Sequence, residues 1–251
     1  MRTLPLFVLL ASSPALAAQP ANPYAGDAAA AATFTVRIEN VSTGATLRSA
    51  SGATAPAPHS PGAWAVHAGK GALFSAGQVA GGRGLEAQAE DGNPAALAAA
   101  LRASKDVAAF GTFSVPLGDG APGPALPGKA FEFTFEASPG QRLSFATMFG
   151  QSNDLFFAPD DEGLALFEQG RPVGGDVTAK VRLWDAGTER NEEPGFGPSQ
   201  APRQPAPDTG AAESFPVRPV EVVKDGFAYP RVADVIRVTI TARGAGAVTA
   251  R

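Results

Sequence analysis

Four segments of this chain alternate apolar and polar residues with period two, and no helical segments are interleaved between them in a repeating order. In residues 33–41, Phe34, Val36 and Ile38 oppose Thr35, Arg37 and Glu39. In residues 130–137, Phe131, Phe133 and Phe135 oppose Glu132, Thr134 and Glu136. In residues 178–184, Ala179, Val181 and Leu183 oppose Lys180, Arg182 and Trp184. In residues 233–242, Ile236, Val238 and Ile240 oppose Arg237, Thr239 and Thr241. A period of two places successive side chains on opposite faces, so each segment reads as a strand buried on one face. Pro139-Gly140 is a tight-turn signal, and residues 142–149 are expected to return as the antiparallel partner of 130–137. Residues 111–115 and 64–67 read as shorter strands.

Between these strands lie Gly- and Pro-rich connections. Residues 53–62 (Pro56, Pro58, Pro61), 119–128 and 190–216 are expected to be loops. The helical signal is confined to residues 84–104. Residues 85–90 make one short candidate. Asn93 suits an N-cap, Pro94 the first helical position, and Leu97 and Leu101 an apolar stripe at i, i+4. The fold class is therefore all-β: an antiparallel β-sandwich with one or two short helices over a sheet end and long Gly/Pro-rich loops.

The first residues differ from the rest. Met1-Arg2-Thr3 is a basic start, residues 4–10 are largely apolar, and Ala15-Leu16-Ala17 has the small residues of a cleavage site. Residues 1–17 read as a secretory signal peptide, since a spanning helix needs roughly 20 apolar residues. Residues 18–31 read as a disordered leader, 32–243 as the β-sandwich domain and 244–251 as a loose tail. The expected location is exported, periplasmic or extracellular. There is no cysteine, which removes disulfides, thiolate zinc sites, thiol catalysis and a lipobox anchor. The formal net charge of −4, without a basic run, gives no surface for nucleic acid.

Acidic residues stand at strand ends. Asp154 follows the 142–149 strand, and Asp185 and Glu189 flank Ala186-Gly187-Thr188 after the 178–184 strand. Four-residue spacing across a turn can fold both carboxylates onto one point, with Gly187 supplying the bend. Ca²⁺ takes six to eight oxygens from such loops. The bland alternative is that Asp185 caps its turn through the backbone while Asp154 and Glu189 are solvated. Asp160-Asp161-Glu162 reads as a solvated face. His59 and His67 straddle a Pro-rich loop without a third ligand, so they read as surface or partly buried structural histidines, not zinc ligands.

Ser152-Asn153-Asp154, Gly174-Gly175-Asp176-Val177, Trp184-Asp185-Ala186-Gly187-Thr188-Glu189 and the strand from Phe34 to Asn40 together resemble the spondin domain, including its stand-alone bacterial form, over residues 32–243. The resemblance implies a C2-like β-sandwich with Ca²⁺ held by three acidic side chains, here Asp154, Asp185 and Glu189. Glu189 departs from the family's Asp. The animal members' cysteines and thrombospondin repeats are missing, so their roles do not transfer.

The expected function is a non-enzymatic, Ca²⁺-dependent binding or adhesion module with a protein or glycan ligand at the cell envelope, its surface formed by the 190–216 loop. The alternatives are a carboxylate- or metal-dependent hydrolase acting on an envelope glycan, and a metal-free structural envelope protein. No Gly-x-Ser-x-Gly elbow or triad spacing favours the hydrolase.

Overall fold

The computed structural model describes residues 30–244 and 247–249. The expected signal peptide and nearly all of the expected leader lie outside the described residues. In chain order the strands are β1 (Ala32–Asn40), β2 (Leu47–Arg48), β3 (Thr54–Ala55), β4 (His59–His67), β5 (Val107–Phe113), β6 (Ala130–Ala137), β7 (Arg142–Phe149) and β8 (Leu155–Ala158). They continue as β9 (Leu164–Ala165), β10 (Phe167–Glu168), β11 (Arg171–Asp176), β12 (Arg182–Asp185), β13 (Arg218–Pro219), β14 (Ile236–Arg243) and β15 (Val248–Thr249). Two helices, α1 (Leu85–Asp91) and α2 (Ala95–Ala103), lie between β4 and β5.

The fold is an all-β sandwich of two mainly antiparallel sheets. One sheet runs β10-β11-β14-β1-β6, with β15 beside β11; the other runs β13-β12-β8-β7-β4-β5, with β9 beside β7. Between them lies an aromatic-rich core. Phe34, Val36, Ile38, Phe131 and Val238 enter from the first sheet, and Val66, Leu143, Phe145, Phe149 and Phe157 from the second. Phe133 stacks between Trp64 and Phe113, with ring centroids 5.2 and 5.4 Å away and planes within 6° and 5° of parallel.

A second core explains the helices. Leu85, Ala89, Leu97 and Leu101 pack on Ala63, Ala65, Ala146, Phe156 and Trp184, on the far face of the second sheet. The small side chains of β4 and β7 on that side let the helices come close. The helices thus cover a sheet face, not a sheet end. Asn93 Oδ1 accepts the Ala95 N–H (3.1 Å), and the helix starts after Pro94, one position later than the N-cap reading.

The two cores decide strand pairing. β6 alternates buried and exposed residues, whereas β7 is buried from Leu143 to Phe149. A strand apolar on both faces belongs in a sheet covered on both sides. The expected β6–β7 hairpin is therefore absent: β6 pairs with β1, and β7 pairs with β4 and β8, so the Pro139-Gly140 turn carries the chain from one sheet to the other.

Residues 53–62, expected as loop, contain β3 and the start of β4. Pro61 is tolerated because the β4–β7 register shifts between His59 and Gly62, so its missing N–H costs no ladder bond. The expected 178–184 strand begins only at Arg182, after a 3₁₀ turn at Thr178–Lys180 that leaves Ala179 exposed, and Trp184 turns into the helix-side core. In the expected loose tail, Val248 and Thr249 pair in parallel with Val173 and Gly174.

Candidate metal site

The β8–β12 ladder brings the first two acids together. Asp185, the last residue of β12, is opposite Leu155, the first of β8, so Asp154 and Asp185 are neighbours at one sheet end. The Ala186 N–H donates to the Asp154 carbonyl (3.2 Å). The chain then turns at Gly187, whose φ of 71° is left-handed and whose missing Cβ would lie 2.3 Å from the Phe215 carbonyl oxygen. Glycine is required there twice over, by backbone conformation and by space.

The turn wraps Asp154. Its Oδ2 accepts the Thr188 N–H (2.7 Å), the Glu189 N–H (3.1 Å) and the Thr188 hydroxyl (3.3 Å). Asp185 Oδ2 accepts from Asn191 Nδ2 (3.0 Å) and Arg218 Nη2 (3.2 Å). Glu189 Oε1 accepts the Gly210 N–H (2.7 Å). The 190–216 loop, irregular as expected, doubles back along this turn: Glu189 bridges to Ala212, and the Phe215 N–H donates to the Gly187 carbonyl (2.8 Å).

All three predicted acids are buried, with 0, 0 and 2% of their surface exposed for Asp154, Asp185 and Glu189. Each keeps one oxygen without a hydrogen-bond partner among the described residues: Asp154 Oδ1, Asp185 Oδ1 and Glu189 Oε2. Buried carboxylate oxygens without a donor are costly. Burial first, and then the Asp185 charge, push the Asp154 carboxyl up to about 7. Burial also raises Glu189 and Glu213. Arg218 answers part of this charge, reaching Asp185 at 3.2 Å and Glu213 at 3.5 Å. The donor set, oxygen only and rich in carboxylate, fits a hard cation such as Ca²⁺.

The side chains do not all converge on one point. Among the described residues, the three carboxylates that bring oxygens within 4.8 Å of one another are Glu90, Glu189 and Asp208, a set that shares only Glu189 with the predicted one. Glu90 comes from α1, is 2% exposed and has an unpartnered Oε1. Burial is the first cause that pushes its carboxyl up to about 8, with Glu189, Glu86 and Asp154 adding to the shift. No local signal marks Glu90: an acid on a short polar-looking helix reads as solvated until the helix is laid on the sheet. Asp208, in a Pro-rich loop, is equally silent.

The remaining titratable candidates have structural roles. Asp160 Oδ1 accepts the N–H groups of Glu162 and Gly163, and Glu162 pairs with Lys70 at 2.6 Å, so that run is a solvated, self-capped turn. His59 and His67 are wholly buried, contrary to the surface or partly buried expectation. His59 Nε2 lies 3.2 Å from the Val235 carbonyl, and burial lowers its ring to about 4. His67 Nδ1 meets the Gly69 carbonyl (2.6 Å) and Nε2 the Ser144 hydroxyl (2.8 Å). A Cβ on Gly163 would lie 2.7 Å from that hydroxyl, so the Gly163 backbone lies directly against the His67–Ser144 pair.

No protein-family model matches this chain, and no curated protein does. The spondin resemblance therefore rests on the residues quoted for it.

Proposed function

We propose that this chain is an exported, Ca²⁺-stabilised, spondin-like module that binds a protein or glycan partner at the cell envelope without catalysing a reaction. One observation carries the reading: Asp154, Asp185 and Glu189 are buried around one turn, each with an oxygen that no group among the described residues satisfies. Ca²⁺ would supply charge neutralisation at Asp154 and Asp185, and Glu189 would join as the third acidic ligand only by turning its carboxylate from Glu90 and Asp208 back toward them. The 190–216 loop is tethered to these same side chains through Asn191 and Gly210, so an ion there would stiffen the loop as well as the sheet end. That loop and its exposed Phe215, whose ring lies 4.6 Å from the Arg218 guanidinium, form the proposed contact surface.

The hydrolase alternative asks more of these residues. A general acid or base must reach the substrate, and Asp154 and Asp185 have no exposed surface.

The test is thermal unfolding in excess EDTA and in millimolar Ca²⁺, beside Asp185→Asn. Ca²⁺ at about a hundred times its dissociation constant adds ~2.7 kcal/mol. A midpoint that rises with Ca²⁺ in the wild type and not in Asp185→Asn supports the reading. A wild type indifferent to both Ca²⁺ and chelator overturns it and leaves the metal-free structural protein.

A further inference from the structure

We propose that Glu90, Glu189 and Asp208 form a second Ca²⁺ site, on the α1 side of the acidic turn and distinct from the Asp154–Asp185 pair. Oxygens of these three carboxylates lie within 4.8 Å of one another. Proximity of acids alone would not make a site, because solvated carboxylates cluster freely. Here two of the three are not solvated: Glu90 and Glu189 are each 2% exposed, and Glu90 Oε1 and Glu189 Oε2 lack a hydrogen-bond partner among the described residues. A carboxylate so placed needs either a proton or a cation.

The surroundings select the ion. Glu90 and Asp208 face an open depression of about 320 Å³ whose other charged lining residues are Glu86 and Asp91, with no Lys or Arg. The opening leaves room for water ligands, which Ca²⁺ needs beyond three carboxylates. Oxygen-only donors without His or Cys disfavour zinc and copper. The Gly210 N–H, donating to Glu189 Oε1 at 2.7 Å, holds that carboxylate in place and leaves Oε2 as its free oxygen. A Cβ on Gly210 would lie 2.0 Å from Oε2, so the backbone is shaped around the carboxylate. The site joins three parts of the chain that are distant in sequence: α1, the turn after β12, and the 190–216 loop. Filled, it would lock that loop to the helix.

Glu189 is also the third ligand of the proposed function, but Glu90 and Asp208 are not, which makes the two separable. The experiment counts Ca²⁺ bound by equilibrium dialysis, with circular dichroism to confirm folding, for wild type, Glu90→Gln, Asp208→Asn and Asp185→Asn. The expected result is two ions in the wild type. Glu90→Gln and Asp208→Asn should each weaken one of them at least tenfold and spare the other, while Asp185→Asn does the converse. A wild type that binds one ion, unaffected by Glu90→Gln and Asp208→Asn, overturns the second site. One ion lost alike in Asp185→Asn and Asp208→Asn means a single joint site and also overturns it. Binding abolished by Glu90→Gln but untouched by Asp185→Asn upholds this site and refutes the Asp154–Asp185 reading instead.

Discussion

Asp154→Asn isolates the cost of burying a charge that the protein itself does not neutralise. Burial and the neighbouring Asp185 move the Asp154 carboxyl from 3.8 to about 7. A rise of about three units corresponds to about 4 kcal/mol, at 1.36 kcal/mol per unit. The direction follows from linkage: a carboxyl raised on folding contributes nothing adverse below 3.8, where both states are protonated, and its stability is lost as pH rises through 7. Without metal, the wild type should therefore weaken between pH 4 and 8. Asn keeps an acceptor for the Thr188 and Glu189 N–H groups, but a neutral acceptor is weaker, costing about 1 kcal/mol. The net expectation at pH 8 in EDTA is Asp154→Asn more stable by about 3 kcal/mol, or roughly 6–12 °C in a domain of this size. At pH 4 the gain should vanish. His59 acts oppositely: its ring falls to about 4, so its share of stability is present above 6.5 and lost as pH falls toward 4. It is common to both proteins and drops out of their difference. The assay is thermal unfolding of both from pH 4 to 8 in EDTA, repeated in Ca²⁺, where the order should reverse. An Asp154→Asn protein that is less stable than wild type at pH 8 in EDTA, or a difference that does not change with pH, refutes the reasoning.

Other perturbations test the surrounding architecture. Gly210→Ala places a methyl 2.0 Å from Glu189 Oε2, so the carboxylate must move; Ca²⁺ affinity in a dialysis titration should fall at least tenfold. Gly187→Ala combines a φ of 71° with a clash against the Phe215 carbonyl and should cost about 2–3 kcal/mol in urea unfolding. Phe157→Ala removes a wholly buried ring packed edge-on against His59 and Phe149 and should cost about 3–5 kcal/mol by the same measurement, with or without Ca²⁺.

Period-two alternation was enough to place β1, β6 and β14, because each lies in the sheet whose outer face is solvated and so shows a polar side in its sequence. The same logic found β7 as a strand but gave it the wrong partner, and it found only the last residues of β4. Their residues are apolar or small on both faces, which reads equally well as loop, hairpin arm or core, and the distinction depends on helices that pack from elsewhere. Pro61 made the first half of β4 read as loop, although a register shift at that point removes the objection.

The site divides along the same line. Sequence alone placed Asp154, Asp185 and Glu189 at strand ends, with Gly187 bending the chain between the last two, because those are properties of a few adjacent residues. That these acids are buried, that each is left one oxygen short of a partner, and that Glu90 and Asp208 meet Glu189 were decided only by tertiary structure. The burial of a carboxylate is set by what packs over it. Here that is a helix more than sixty residues before Asp154 and a loop that returns after Glu189, neither encoded in the turn itself.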